Sequence, residues 1–395
     1  MALAENQISP EDDIKVVWVG SDVACTEMVG ILLDHTEIAV DTEFHREKTY
    51  YPRLALLQLG VNGLAFLVDP FQVDMTLLAP LFESNVEFVF HALEQDLDII
   101  ERACGVRAKV FFDTQIAAGF IGLSRPSLAH LADRLLGVEL PKADRLSDWT
   151  QRPLTEAQKI YAASDVAHLL VMKAKISEEL ESAGRLAWAL DEFEYVSSRR
   201  KEPTDPALAW QKIKECRSLK GNARKVAKSV AQWREERAIE LDIPPRYLLS
   251  DLTVAAIAQL APKTKQELLK VRGIDPRQIN NGTDVSILEA VKAGLLLDKV
   301  PDIPHQNDDG IRGAGAVVSL CLAWLSQKCN DERFDPTIVG TREDVTQLLA
   351  GEKDSRLGTG WRYELIGKQL LEIKSAKLSL TGGPGGKIVA IPIEE

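Results

Sequence analysis

The stretch EIAVDTEFHREKTYYPRLALLQLG, residues 37–60, holds two runs rich in aliphatic and β-forming residues, EIAVDTEF (37–44) and LALLQLG (54–60). A third run, VVWVG (16–20), precedes them, and a fourth, LAFLVDP (64–70), follows directly after Asn62-Gly63, a pair that favours a tight hairpin. Further along, two short apolar runs, EFVFH (87–91) and KVFFD (109–113), alternate with helical periodicity. Helices are then predicted around 127–136 and 155–182. The pattern predicts a mixed α/β domain over 14–183, in which an antiparallel meander feeds further strands and helices.

Beyond about residue 184 the strand signal stops until the last dozen residues. Aliphatics recur at helical spacing in 208–215, 222–240, 252–260, 263–271 and 284–297, with Pro244-Pro245, Pro262 and Gly273 where helices should stop. A small all-α bundle over 206–290 is expected. VPDIPHQNDDGIRG (300–313) lacks periodicity and reads as a linker, and a second helical unit is predicted over 314–376. In the tail, 377–395, TGGPGG is flexible by composition; KIVAIPI reads as a short edge strand or as disordered chain and is assigned no role.

With 395 residues the chain exceeds one ordinary core, and its composition, 45% hydrophobic and 27% charged, is that of a globular protein. Cys25, Cys104, Cys216, Cys321 and Cys329 are odd in number and lack CxxC spacing, which argues against a disulfide framework or a zinc site. No apolar run reaches the ~18 residues of a membrane span, and the N-terminus has no signal-peptide pattern, so a cytoplasmic address is expected. The net charge of −12 disfavours non-specific coating of nucleic acid, yet it is unevenly spread. Residues 200–299 hold 19 Lys/Arg against 13 Asp/Glu, so positive charge gathers in the middle.

Asp41 and Glu43 lie two apart in a predicted strand, so the period of two puts both carboxylates on one face. Like charges held close call for a cation between them, and carboxylates select hard metals. By itself the pair reads equally as a solvated strand end: with 59 acidic residues, a carboxylate-x-carboxylate pattern arises by chance roughly nine times. Asp96 falls in the first turn of a helix beginning near Leu93 or Glu94, where any acid is favoured by the dipole. Tyr161 and Asp165, at i and i+4 of a helix capped by Thr155, share a face. A phenol one turn from a carboxylate suits a held water; it also suits a half-buried aromatic beside a surface acid.

Taken together and in this order, the strand bearing Asp41-x-Glu43, the strand-to-helix step bearing Asp96 and the late helix bearing Tyr161-x-x-x-Asp165 resemble the DEDD exonuclease superfamily, in its tyrosine-containing subgroup. VDTEFHREKTYYPRLALLQLG (40–60), FHALEQDLDII (90–100), VFFDTQIAAGFIG (110–122) and SDWTQRPLTEAQKIYAASDVAHL (147–169) resemble ribonuclease D nearly throughout. The resemblance implies an RNase H-like fold in which Asp41, Glu43, Asp96 and Asp165 bind two divalent ions, Mg²⁺ or Mn²⁺, and Tyr161 orients the attacking water. Two cations about 3.5–4 Å apart suit phosphodiester hydrolysis, because charge develops on both the attacking and leaving oxygens. The implied activity is 3′→5′ exoribonuclease action that releases nucleoside 5′-monophosphates. RNA with a free 3′ end, tRNA precursors in particular, is the implied substrate, and a monomer is expected.

Phe44, His45 and Tyr50 are candidates to grip the terminal nucleotides, since single strands are commonly held by aromatics; they read equally as core and loop cover. His45 is not expected to ligate a hard cation, Asp113 reads as a helix N-cap, and His168 as a helix-face residue. Residues 207–274 resemble the helicase-and-RNase-D C-terminal (HRDC) domain through VAQWREERAIELDIPPRYLLSD. Within it Trp233, Ala238 and Leu248 are predicted to face inward and Arg224, Lys225 and Lys228 outward, where they could track phosphates. Residues 314–376 resemble a second, diverged module of this kind, with 8 Lys/Arg and 9 Asp/Glu over 313–376, too neutral for a strong RNA surface; packing on the exonuclease domain is the alternative. The competing functions are a single-stranded DNA exonuclease and a non-catalytic scaffold. The helical modules favour RNA, and the complete carboxylate set with Tyr161 opposes decay.

Overall fold

The first seven strands form one sheet in the order β1-β2-β5-β4-β3-β6-β7: β1 (Glu5–Asn6), β2 (Lys15–Val19), β3 (Glu37–His45), β4 (Arg53–Val61), β5 (Leu64–Val68), β6 (Glu87–Phe90) and β7 (Val110–Asp113). The computed structural model describes residues 5–6, 14–61, 63–141, 147–199, 204–277, 279, 282–300, 315–352 and 354–393. Strand β5 runs antiparallel to β4 and parallel to β2, and β6 runs parallel to both β3 and β7. The sheet is therefore mixed, as the run of strand signals predicts. Gly63 takes a φ of 78° at the β4–β5 turn; Asn62, its partner in the hairpin signal, lies outside the described residues.

Helices fill the connections: α1 (Asp22–Leu32), α2 (Ala79–Phe82), α3 (Glu94–Cys104), α4 (Thr114–Gly119), α5 (Leu128–Leu136), α6 (Glu156–Ala167), α7 (Leu169–Ser182) and α8 (Leu186–Ser198). Their starts are written in the sequence. Ser21, Asp113, Ser127 and Thr155 each accept a backbone N–H of the helix they open, and Thr155 completes a capping box with Gln158. The single helix predicted over 155–182 is instead two, α6 and α7, meeting at His168. His168 stays in the right-handed region at φ −111° and ψ −3°, so no glycine or proline announces the break.

Two compact units emerge: residues 1–43, 54–200 and 307–395 make the first, and 44–53 with 201–306 the second. The C-terminal helices α16 (Gly315–Glu332), α17 (Pro336–Val339), α18 (Arg342–Ala350), α19 (Gly360–Arg362) and α20 (Lys368–Lys374) thus belong with the sheet domain. Cys321, Leu325, Leu348, Trp361 and Ile366 share one continuous core with Phe120, Leu131, Met172 and Phe193. Buried Glu192 of α8 is ion-paired to both Arg356 and Arg362, and Asp335 N–H donates to Gly119 C=O at 2.8 Å. The tail is an ordered hairpin, not loose chain: β8 (Leu378–Gly382) pairs antiparallel with β9 (Ile388–Pro392). Gly385 and Gly386 turn it at φ 71° and 77°, and Leu378, Leu380 and Ile388 pack on the core. That support is tertiary, so composition left the strand and the disordered chain both open, and the strand is what forms.

The second unit is all-helical, with α9 (Ala209–Lys212), α10 (Lys214–Arg217), α11 (Gly221–Leu241), α12 (Pro245–Leu248), α13 (Asp251–Leu260), α14 (Lys265–Leu268) and α15 (Thr283–Leu296). Trp210, Val226, Val230, Val254, Ile257, Ile287 and Val291 form its core. The segment 44–53 joins it through the Tyr50 hydroxyl, which donates to Glu235 at 2.6 Å, and the Tyr50 N–H, which donates to Asp242 at 3.1 Å. Residues 301–313 of the expected linker lie outside the described residues.

Candidate active site

Strand β3 and helix α6 bring three carboxylates together. One ligand oxygen from each of Asp41, Glu43 and Asp165 lies within 4.8 Å of the others. The alternation of β3 explains the first two: Ala39, on their face, packs in the core with Val166 and Leu169, so the α6 side of the sheet carries Asp41 and Glu43. Asp165 is 6% exposed, and its Oδ2 has no hydrogen-bond partner among the described residues. Tyr161, one turn earlier, hydrogen-bonds the same carboxyl group.

Asp96 lies outside that group of three, in the first turn of α3, 7% exposed, and its Oδ1 accepts the hydroxyl of Thr42. Thr42 is the residue between the acidic pair, pointing to the opposite face of β3. Nothing in the D-x-E spacing assigns it a role; only the packing of α3 does. Asp96 also acts electrostatically on Asp41 and Glu43.

Burial shifts all four acids upward, and the charges of neighbouring site acids add to it at Asp41 and Glu43. Burial first, then the charges of Asp165 and Asp96, push Glu43 to about 8. Burial raises Asp96 and Asp165 to about 7, against the Thr42 and Tyr161 hydrogen bonds that pull them down. Asp41 is raised well above the ordinary carboxylate range by burial and by its three acidic neighbours. The Tyr161 phenol is likewise pushed up, by burial and by Asp165, Glu43 and Asp41, so it keeps its proton. This site is an all-oxygen donor set with excess negative charge, which selects a hard divalent cation.

Supporting residues appear that the spacing did not mark. Trp149 packs its ring on Tyr161, centroids 6.0 Å apart. Its loop is pinned by Arg152, which donates to Trp149 C=O and Ala55 C=O and, through both Nε and Nη2, to fully buried Asp69. A D-W-x-x-R phrase beside a strand-end Asp is too short a signal to reveal this. Asp113 is the N-cap of α4, as expected, and additionally accepts Leu93 N–H at 2.7 Å.

The other candidates stand in the second unit. Phe44, His45 and Tyr50 are all half-buried, and the Tyr50 hydroxyl is committed to Glu235. Arg224, Lys225 and Lys228 are half-buried too, instead of facing fully outward, and Arg224 Nε donates to Leu219 C=O. Of the residues predicted inward, Ala238 is buried, whereas Trp233 and Leu248 are only partly so. The buried polar pair on α11 is Arg234 with Glu235, Arg234 being matched by Asp251 at 2.7 Å. Trp233 nonetheless packs against the helical core, as its spacing predicts. Exposed cations do occur just before α11, at Lys214, Arg217 and Lys220.

A family model described as a 3′-5′ exonuclease matches residues 16–181, and an HRDC domain model matches residues 223–288. The chain is similar to ribonuclease D of Gluconacetobacter diazotrophicus, 34% identical over 90% of this chain and 91% of that protein. It is similar to ribonuclease D of Zymomonas mobilis subsp. mobilis as well, 32% identical over 91% and 93%. The crystal structure of Escherichia coli RNase D, described as an exoribonuclease involved in structured RNA processing, matches with a TM-score of 0.81 and 27% identity, covering 91% of this chain and 98% of that one.

Proposed function

The chain belongs to the ribonuclease D family, and on that premise we propose that this 3′→5′ exoribonuclease trims the 3′ ends of tRNA precursors with two divalent cations held by Asp41, Glu43, Asp96 and Asp165. The observation that carries the reading is the buried Oδ2 of Asp165, which has no hydrogen-bond partner among the described residues, within a cluster of like charges: a lone pair left unsatisfied there fits a metal bond. Mg²⁺ and Mn²⁺ suit an all-carboxylate set, and nothing in the donor chemistry calls for a softer ion.

Bound there, the cations would offset the carboxylate charge and stabilise the attacking and leaving oxygens of a phosphodiester. The chain's own contribution is placement. Tyr161, hydrogen-bonded to Asp165, orients the attacking water. Trp149 and the Arg152-pinned loop restrict the phenol ring. Phe44, His45 and Tyr50 are the proposed contacts to the terminal nucleotides, and Arg224, Lys225 and Lys228, with the more exposed Lys214, Arg217 and Lys220, the proposed contacts to phosphates. The products would be nucleoside 5′-monophosphates, made by a cytoplasmic monomer. No helix among the described residues is long and apolar enough to cross a membrane.

Incubating 3′-labelled tRNA precursor, unstructured RNA and single-stranded DNA side by side with the protein and Mg²⁺ tests this. Mononucleotides from the RNAs, abolished by EDTA and by Asp165→Asn, are expected. Oligonucleotide products, preference for DNA, or turnover surviving exhaustive chelation would overturn it.

A further inference from the structure

Asp113 ends β7 with its carboxylate fully buried. Its Oδ1 accepts Gln115 N–H at 2.7 Å and Ile116 N–H at 2.9 Å, which opens α4. Its Oδ2 accepts Leu93 N–H at 2.7 Å, from a residue 20 positions earlier. Leu93 immediately precedes α3, and its carbonyl accepts the first helical bond, from Leu97 N–H at 3.0 Å. Before it stands Ala92 at φ 69°, in the left-handed region that a side-chain-bearing residue holds only when its surroundings enforce it. The residue before that, His91, is fixed from the same direction: its Nδ1 pairs with Thr114 Oγ1 at 2.9 Å, and that hydroxyl donates to Phe90 C=O at 3.0 Å. Residues 113 and 114 thus hold the whole 90–93 turn.

We infer that Asp113 is a positioning residue for Asp96: by fixing Leu93 N–H and the left-handed Ala92, it sets the first turn of α3 so that Asp96 meets Thr42, the residue between Asp41 and Glu43. A helix cap alone needs one oxygen; here the second oxygen ties that cap to the strand-to-helix step carrying a candidate ligand. The inference rests on the reading of Asp96 as a cation ligand.

The test uses the 395-residue chain and Mn²⁺ alone, followed by isothermal titration without RNA. Asparagine has a single acceptor, so Asp113→Asn can keep the α4 cap only by turning its amide N–H₂ toward Leu93 N–H, donor against donor. Mn²⁺ affinity is expected to fall ~10–100-fold, the range typical for partners that orient metal ligands. With RNA and Mg²⁺, kcat should fall while KM stays within about twofold. Thr341→Ala, which removes the capping box of α18, should lower Tm without moving Mn²⁺ affinity. Ala92→Gly accepts the left-handed backbone and preserves the fold while loosening the turn, so it should give a smaller loss of affinity and keeps the test open if Asp113→Asn fails to fold. In an Asp96→Asn background, Asp113→Asn should add nothing. Wild-type Mn²⁺ affinity in Asp96→Asn itself would overturn the site reading. A weakened Asp96→Asn beside unaffected Asp113→Asn and Ala92→Gly, or additive losses in the double variant, would overturn the positioning role alone.

Discussion

Gly60 of β4 and Val166 of α6 touch so closely that a Cβ built on the glycine would stand 2.9 Å from Val166 Cβ and 3.0 Å from its carbonyl oxygen. Asp165 is the residue just before Val166 on that helix, so the approach of α6 to the sheet, and with it the distance from Asp165 to Asp41 and Glu43, depends on the missing side chain. Gly60→Ala should push α6 outward, costing about 1–3 kcal/mol of stability as overpacking does. The exonuclease rate should fall ~10-fold or more, since small misplacements of reacting groups are amplified. Urea denaturation and single-turnover rates measure the two effects, and an unchanged rate in a destabilised protein would detach α6 placement from chemistry.

The raised carboxylates make a signed prediction about pH. Glu43 at about 8, Asp96 and Asp165 at about 7, and Asp41 raised as well hold protons in the folded state that the unfolded chain, with carboxylates near about 4, has already lost. Where the native state binds more protons, stability falls as pH rises. In EDTA, the wild-type protein should therefore lose stability between about pH 5 and 8, and Asp165→Asn, which removes one of these groups, should show a flatter profile. Mn²⁺ affinity should rise across the same window as binding displaces the protons. Parallel stability profiles for the two proteins would remove the premise of charge crowding.

Much of this was legible in the sequence because local rules and the site coincide. The D-x-E pair sits in a strand whose period forces a shared face, and Thr155 and Asp113 announce their helices by side-chain chemistry confined to a few residues. What escaped depends on distant partners. Thr42 acquires a function only when α3 supplies Asp96, Tyr50 only when Glu235 arrives from 185 residues away, and the TGGPGG turn only when the core accepts Leu378 and Ile388. Similarly, 314–376 carries its own helical pattern, yet its apolar faces are completed by Phe120 and Phe193, which no periodicity within the segment can indicate.

Removing one oxygen from Tyr161 separates positioning from ligation. Tyr161→Phe keeps the ring packed on Trp149 and loses the hydrogen bond to Asp165. Mn²⁺ affinity should change little, while kcat falls by about 10²-fold, the lower end for groups that orient or transfer protons. A large loss of metal affinity would place the phenol among the groups that hold the cation, and a rate near wild type would leave water placement to other residues.

Glu192 offers a test of whether the C-terminal helices are structurally inseparable from the nuclease domain. Its carboxylate is 3% exposed and is shared by Arg356 and Arg362, the latter 6% exposed and donating also to Ile338 C=O at 2.8 Å and Val339 C=O at 3.1 Å. Glu192→Ala would strand two guanidinium groups in a largely water-excluded site, and breaking a buried ion pair from one side costs about 3–5 kcal/mol. Because Trp361 and Phe334 pack on Phe120 and Trp188 across the same contact, the loss should destabilise the sheet domain together with α16–α20. Hydrogen exchange in β3 and in α16 should then quicken by a similar factor, as expected of one cooperative unit. Exchange that accelerates in α16 alone would show that the helices unfold by themselves, and that the shared core is an interface between two independently stable parts.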